Sequence, residues 1–136
     1  MYAGKIPLVQ RGAFEDLDAA LIVHPDGGLD LATSYALACQ NLYVEYFGRS
    51  SHASAQPERG INALDAIILA FNNINALRQH IRSSARIHGI ITDGGHAANV
   101  IPDHSAGEFI VRAADDGYLD ELEERVLNCF IAAGNA

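Results

Sequence analysis

Alternation of apolar and polar side chains predicts three strands in the second part of the chain. Residues 40–47 place an apolar side chain at every second position on one side and are rich in residues that favour strands. Two more segments of this kind are Arg86–Thr92 and Glu108–Ala113. The stretch between them contains a Gly-Gly pair and a proline, which are typical of a loop.

An apolar repeat of about 3.6 residues predicts two helices. Asn62 precedes the first helix and is a suitable N-cap. The second helix is predicted from about Gly117 to Ala133. The apolar stripe of the first helix is Leu64, Ile67, Ile68, Phe71, Ile74, Leu77 and Ile81, flanked by Ala63, Ala66 and Ala70. In the second helix the residues predicted to face inward are Leu119, Leu122, Val126, Cys129 and Phe130.

The first 30 residues have a different pattern. Leu17–Val23 is a short apolar run that ends at the turn residues Pro25, Gly27 and Gly28. Such a run is typical of a buried strand in a parallel sheet. Because one strand cannot bury itself, residues 1–30 are predicted to be the end of an α/β domain whose other strands are absent.

From residue 31 onward the predicted order is β-α-β-β-α. This order indicates an α+β, ferredoxin-like domain with an antiparallel sheet and both helices on one face. A complete β-α-β-β-α-β unit needs one more strand, so the last strand is expected to be missing from residues 31–136. We therefore expect the chain to be a truncated part of a longer polypeptide.

Composition and charge exclude several classes of function. The 136 residues are 49% hydrophobic, and the formal net charge of −8 argues against binding to nucleic acid or to an anionic membrane. The sequence has no apolar run long enough to span a membrane and no signal peptide, which favours a cytoplasmic location. Cys39 and Cys129 are too few for a disulfide scaffold and are interpreted as core thiols.

Two of the six histidines are candidates for chemistry. His24 follows an apolar segment, where α/β sheets often hold metals, but a histidine at this place is more often an ordinary strand-end residue. His52 lies among small residues between a predicted strand and a helix, where a substrate could approach the imidazole. The other four histidines are interpreted as structural, solvated or loop residues: His80, His88, His96 and His104.

Arg112 and Asn99 each allow two interpretations. Arg112 shares a strand face with Glu108 and could either bind a carboxylate with both arms of its guanidinium or form a surface ion pair. Asn99 could form a turn before a proline-containing loop or donate its amide to a developing oxyanion. The sequence has no His-Glu-x-x-His, Cys-x-x-Cys or Gly-x-Ser-x-Gly motif.

Four stretches together resemble a known family. They are Gly48–Ser54 (GRSSHAS), Gly60–Ala66 (GINALDA), Asn99–Asp103 (NVIPD) followed by Arg112, and Gly4–Leu8 as a linking segment. In their order along the chain, and with this spacing, they resemble the dimerisation, or lid, domain of the metallo-amidohydrolases of peptidase family M-twenty. The similarity is strongest to the branch of Xaa-basic dipeptidases and aminobenzoyl-glutamate hydrolases.

The resemblance implies a role for each candidate residue. In such enzymes two divalent ions, zinc or a similar metal, activate a water that attacks an amide carbonyl. By resemblance, His52 polarises that carbonyl, typically in the partner subunit, and Asn99 lies near the same oxyanion. Arg112 holds the substrate carboxylate, and His24 is a metal ligand. Residues 1–30 then correspond to the end of the first half of the catalytic domain, and residues 31–136 to the lid.

The resemblance also implies a homodimer formed through the lid and a small amide or dipeptide as substrate. The remaining metal ligands of the family are absent, so the chain alone is expected to bind no metal stably and to be inactive. An alternative is a stand-alone, non-catalytic α+β dimerisation or binding module. A small-ligand regulatory domain is a third possibility, supported by the predicted fold alone.

Overall fold

The computed structural model describes residues 4–23, 25, 27–28 and 35–136. The chain divides into two compact units, Met1–Ser34 and Tyr35–Ala136. The described residues of the first unit form a short helix, α1 (Lys5–Gln10), followed by turns over residues 11–16. None of the described residues of this unit is buried.

The strand predicted over Leu17–Val23 is wrong. Residues 17–23 form no strand, and the side chains of Leu21 and Val23 are 97% and 96% exposed. A strand is stable when its backbone N–H and C=O groups pair with a neighbouring strand. The described residues of this unit provide no such neighbour, so the apolar run stays unpaired. The apolar pattern also gives no indication of helix α1.

The second unit carries all of the described strands and the two long helices. Its central sheet has three strands. The unit also contains two helices, a short two-stranded ribbon and one 3₁₀ turn. In chain order the elements are β1 (Ala38–Phe47), β2 (Ser51–His52), the 3₁₀ turn (Pro57–Arg59), α2 (Ala63–Arg78), β3 (Arg86–Asp93), β4 (Val100–Ile101), β5 (His104–Ala113) and α3 (Asp116–Gly134).

The three long strands form an antiparallel sheet in the order β1-β5-β3. β5 lies in the middle, where Phe47 pairs with His104 at one end and Ala38 pairs with Ala113 at the other. The predicted α+β class and antiparallel sheet are confirmed. The short strands β2 and β4 form a separate antiparallel ribbon, which the sequence pattern does not predict because each has only two residues.

Both helices pack on one face of the sheet, as predicted. The core is centred on Phe109 of β5, whose ring lies 4.8 Å from that of Phe71 and 4.9 Å from that of Phe130. The stripe of α2 is rotated from the prediction, because Ala70 is fully buried while Ile68 is 43% exposed. Among the described helices, none is long and apolar enough to cross a membrane.

The opposite face of the sheet is open. Alternate residues of β1 and β5 point to this side, including Cys39, Glu108 and Arg112, while their neighbours in β5 are buried. Cys39 is therefore exposed and the prediction that it is a core thiol is wrong. Cys129 is partly buried, and the pKa of its thiol is raised by burial.

Candidate functional site

The β2–β4 ribbon presents the sequence motif around His52 at one end of the sheet. Gly48 follows β1 and donates its N–H to the carbonyl of Asp103 at 2.7 Å. A Cβ at position 48 would lie 2.1 Å from the carbonyl oxygen of Ile61, so only glycine permits this close approach. In the ribbon, His52 pairs with Val100.

The imidazole of His52 is oriented by the turn that follows it. Its Nδ1 accepts hydrogen bonds from the backbone N–H groups of Ser54 and Ala55, at 3.3 and 3.2 Å, and the Oγ of Ser54 lies 3.3 Å away. A backbone N–H can only donate, so Nδ1 must carry its lone pair. The neutral ring therefore holds its proton on Nε2, which leaves an exposed N–H donor available to a ligand.

The structure brings Asn99 close to His52. The carbonyl oxygen of Asn99 accepts the N–H of Ala53 at 2.9 Å, which joins the Asn99 loop to the residue after His52. The Asn99 side chain is exposed and makes no hydrogen bond within the described part of the chain. Its amide is thus free to act as a second donor beside the imidazole.

A cavity of about 490 Å³ adjoins His52. It is lined by polar side chains, among them two arginines, and by no carboxylate of the described residues. The complete lining is Arg49, Ser50, Ser51, His52, Gln56 and Arg59. The two arginines are not apparent from the sequence, because each is an ordinary polar residue of a loop until the fold brings them together.

Arg112 lies at the opposite end of the sheet from His52. It pairs with Cys39 at the start of β1 and with Arg86 at the start of β3, whereas the ribbon extends from the His104 end of β5. The distance from position 104 to position 112 is about 27 Å of strand. Among the described residues Arg112 makes no side-chain hydrogen bond or ion pair, so the pairing with Glu108 considered from the sequence is absent.

A histidine between two carboxylates lies on the open face of the sheet, at the end of β5 opposite to Arg112. His104 is the first residue of β5, so its interpretation as a loop residue is wrong. Its Nδ1 lies 2.8 Å from Oδ2 of Asp93, and its Nε2 lies 3.0 Å from Oε1 of Glu45. The hydrogen bonds to Asp93 and then Glu45 raise the pKa of His104. Strand alternation continued back from Glu108 would have placed His104 on this face.

Asp93 also holds the loop that carries Asn99. Its Oδ1 accepts the N–H of Gly95 at 3.0 Å, and Gly95 adopts a φ of +98° that favours glycine. The hydrogen bond from Gly95 and then that from His104 lower the pKa of Asp93. The cluster formed by Glu45, His104 and Asp93 therefore links all three long strands to the start of this loop.

The residues described by the structure do not fit a metal centre. Within residues 4–23, 25, 27–28 and 35–136, no three His, Cys, Asp or Glu side chains are grouped so that they could hold a metal ion. The candidate ligand His24 lies outside the described residues. What the described residues can supply is a set of hydrogen-bond donors, namely the His52 ring, the Asn99 amide and the arginines of the cavity.

Comparison with known sequences identifies a family. The sequence model of the peptidase dimerisation domain matches residues 41–134. The chain is 41% identical over 133 residues to the Xaa-Arg dipeptidase of Mus musculus, covering 98% of this chain and 31% of that protein. It is 33% identical over 135 residues to one subunit of the p-aminobenzoyl-glutamate hydrolase of Escherichia coli, covering 98% of this chain and 28% of that protein. The chain thus spans less than a third of the length of these curated relatives.

Comparison with solved structures agrees on the fold. The crystal structure of aminobenzoyl-glutamate utilization protein from Klebsiella pneumoniae superposes with a TM-score of 0.65 at 24% sequence identity, over 73% of this chain and 25% of that one. A hydantoinase/carbamoylase family amidase from Burkholderia vietnamiensis superposes with a TM-score of 0.67 at 17% identity, over 74% of this chain and 25% of that one.

Proposed function

Because this chain belongs to peptidase family M-twenty through its dimerisation domain, we propose that it is the lid of a hydrolase that cleaves an amide bond. The substrate is an N-acyl amino acid or a dipeptide, the class named by the relatives that it resembles. The observation that carries the proposal is the orientation of His52, whose Nδ1 is occupied by backbone donors while Nε2–H is exposed.

His52 acts as the donor that stabilises the oxyanion. When a nucleophile attacks the amide carbonyl, negative charge develops on its oxygen, and a donor fixed in advance stabilises that charge without reorganising. The turn over residues 52–55 supplies such a donor, since the ring is held by bonds to backbone groups that follow it. The side-chain amide of Asn99 is the second donor to the same oxygen.

Arg112 binds the substrate carboxylate, and two copies of the chain share each site. In an N-acyl amino acid the carboxylate and the amide carbonyl are about one residue length, or 4 Å, apart. Within one chain, Arg112 and the ribbon of His52 are separated by the length of β5. A homodimer in which Arg112 of one copy and His52 of the other meet at one substrate allows both side chains to reach it, although β5 separates them within each copy.

Replacement of His52 in the complete enzyme tests this role. We expect His52→Ala to lower kcat about 100- to 1000-fold, the usual cost of losing one oxyanion donor, with a smaller change in KM. His80→Ala is the matched control, since His80 is an exposed histidine just after the end of α2, away from the ribbon. Equal kcat values for wild type and His52→Ala would show that the ring does not act in the reaction.

The two divalent metal ions implied by the family, taken here as zinc, are proposed to bind to residues outside the described part of the chain. His24 is proposed as one of their ligands. We expect the complete enzyme to lose zinc content in a His24→Ala variant, measured by atomic absorption after dialysis. Unchanged zinc content would remove His24 from the ligand set.

A further inference from the structure

Two arginines line the cavity beside His52 without a carboxylate to balance them. Arg49 and Arg59 face the same 490 Å³ cavity as the imidazole. Neither forms an ion pair with a described residue, although Arg82 and Arg125 pair with Asp115 and Glu121 elsewhere. In a chain with 17 acidic and 9 basic residues, two unpaired guanidinium groups in one cavity make a local site for an anion.

The guanidinium of Arg49 is held in place by the backbone. Its Nε donates to the carbonyl oxygen of Arg59 at 2.6 Å, and its backbone exchanges two hydrogen bonds of 2.9 Å with Ile61. The terminal nitrogens of Arg49 have no partner among the described residues and remain available. A fixed side chain loses little further conformational entropy when it binds a ligand.

Arg59 reaches the same cavity from the end of the 3₁₀ turn. Its Nη1 donates to Oε1 of Gln56 at 3.3 Å, and the carbonyl oxygen of Gln56 accepts the hydroxyl of Ser51. The turn is therefore joined to the strand that carries His52. Planar guanidinium groups match the two oxygens of a carboxylate, which makes a carboxylate the anion best suited to this pair.

We propose that Arg49 and Arg59 bind a second carboxylate of the substrate, distinct from the one assigned to Arg112. The preferred substrates are then amides of a dicarboxylic amino acid, such as an N-acyl-glutamate, and not amides of a basic residue. This inference rests on the proposed function, because it assigns a substrate class to the same site.

The experiment uses the complete enzyme and compares three N-benzoyl amino acids that differ only in the side chain of the amino acid. We expect kcat/KM for N-benzoyl-glutamate to exceed that for N-benzoyl-glutamine, its neutral analogue, by about 10- to 100-fold, as for hydrogen bonds to a charged group. N-benzoyl-arginine is expected to be the poorest of the three. Arg49→Gln and Arg59→Gln should each lower kcat/KM for the glutamate substrate about tenfold and that for the glutamine substrate by a smaller factor, because a neutral amide oxygen accepts a weaker hydrogen bond than a carboxylate.

Arg125→Gln is the matched control, since Arg125 lies on α3 and pairs with Glu121. Its kinetic constants should equal those of the wild type. Hydrolysis of the glutamate and glutamine amides at equal rates, with no effect of Arg49→Gln or Arg59→Gln, overturns the inference and leaves the proposed function standing. Hydrolysis of dipeptides but of none of the three amides overturns the inference alone, whereas hydrolysis of neither class overturns the proposed function and the inference together.

Discussion

Single hydrogen bonds determine which nitrogen of His52 can act as a donor. The turn after His52 directs two backbone N–H groups at Nδ1, and the Ser54 hydroxyl lies at the same nitrogen. The hydroxyl can donate or accept, but the backbone groups can only donate. The backbone and not the Ser54 side chain therefore selects the tautomer with its proton on Nε2.

This tautomer is directly measurable. We expect two-bond ¹H–¹⁵N correlation spectra of the chain to show the neutral ring of His52 with its proton on Nε2, because two donors face Nδ1. Ser54→Ala keeps both backbone donors and should give the same pattern. A spectrum with the proton on Nδ1 would contradict both the turn geometry and the role assigned to the ring.

His104 gives the stability a defined dependence on pH. The pKa of His104 is raised by Asp93 and Glu45. Its contribution to the free energy of unfolding is therefore complete at pH values below the ordinary histidine pKa and is lost as pH rises through the raised pKa. The pKa of Asp93 is lowered, so its contribution is present above the ordinary aspartate pKa and is lost on acidification through the lowered pKa. Both contributions are complete between about pH 4 and about pH 6.5.

We expect His104→Gln to destabilise the chain more at about pH 5.5 than at about pH 9, because the stabilisation by the charged ring is lost as pH rises through its raised pKa. Urea denaturation at both pH values measures the difference. His88→Gln, an exposed histidine on the same face, is the control and should show no such change. A loss of the same size at both pH values for His104→Gln would show that the ion pairs contribute nothing.

At the scale of elements, the start of α2 depends on one side chain. Oδ1 of Asn62 accepts the N–H of Leu64 at 3.0 Å, which satisfies one of the free donors at the helix start. We expect Asn62→Ala to lower the free energy of unfolding by about 1 kcal/mol, measured by urea denaturation. Asn62→Ser keeps an acceptor and should cost only a few tenths of that. Equal losses in the two variants would show that the cap itself is not what Asn62 contributes.

The elements that can be predicted from the sequence are those whose apolar pattern extends over several residues. Strand β1 and helix α3 are predictable because their alternation or 3.6-residue repeat is long and their buried faces are contiguous. The unpaired run Leu17–Val23 has the composition of a strand, but hydrogen bonds to a neighbour decide whether a strand forms. The two-residue strands of the ribbon carry no pattern at all.

The same limit applies to the site. His52, Asn99 and Arg112 can be selected from the sequence because each lies in a motif that is local in the chain. The arginine pair and the cluster of Glu45, His104 and Asp93 join residues from separate loops and strands. Their proximity depends on strand register, which a local motif does not specify.

At the scale of the whole molecule, the length of the sheet separates the parts of the proposed site. His52 and Asn99 lie beyond one end of β5 and Arg112 at its other end, about 27 Å of strand away. One copy of this dimerisation domain therefore cannot present both ends to a single amide. In the proposed symmetric dimer, the His52 end of each copy would meet the Arg112 end of the other, which would form two equivalent sites.

Complementation between two inactive variants tests this arrangement. In a heterodimer of complete enzymes, one subunit with His52→Ala and the other with Arg112→Gln, one site combines the intact His52 with the intact Arg112, while the other site has lost both. We expect the heterodimer, purified through two different affinity tags, to have about half the wild-type kcat. In each parent homodimer both sites lack the same residue, so the homodimer should be nearly inactive. A heterodimer no more active than its parents would show that His52 and Arg112 do not act on one substrate from different subunits.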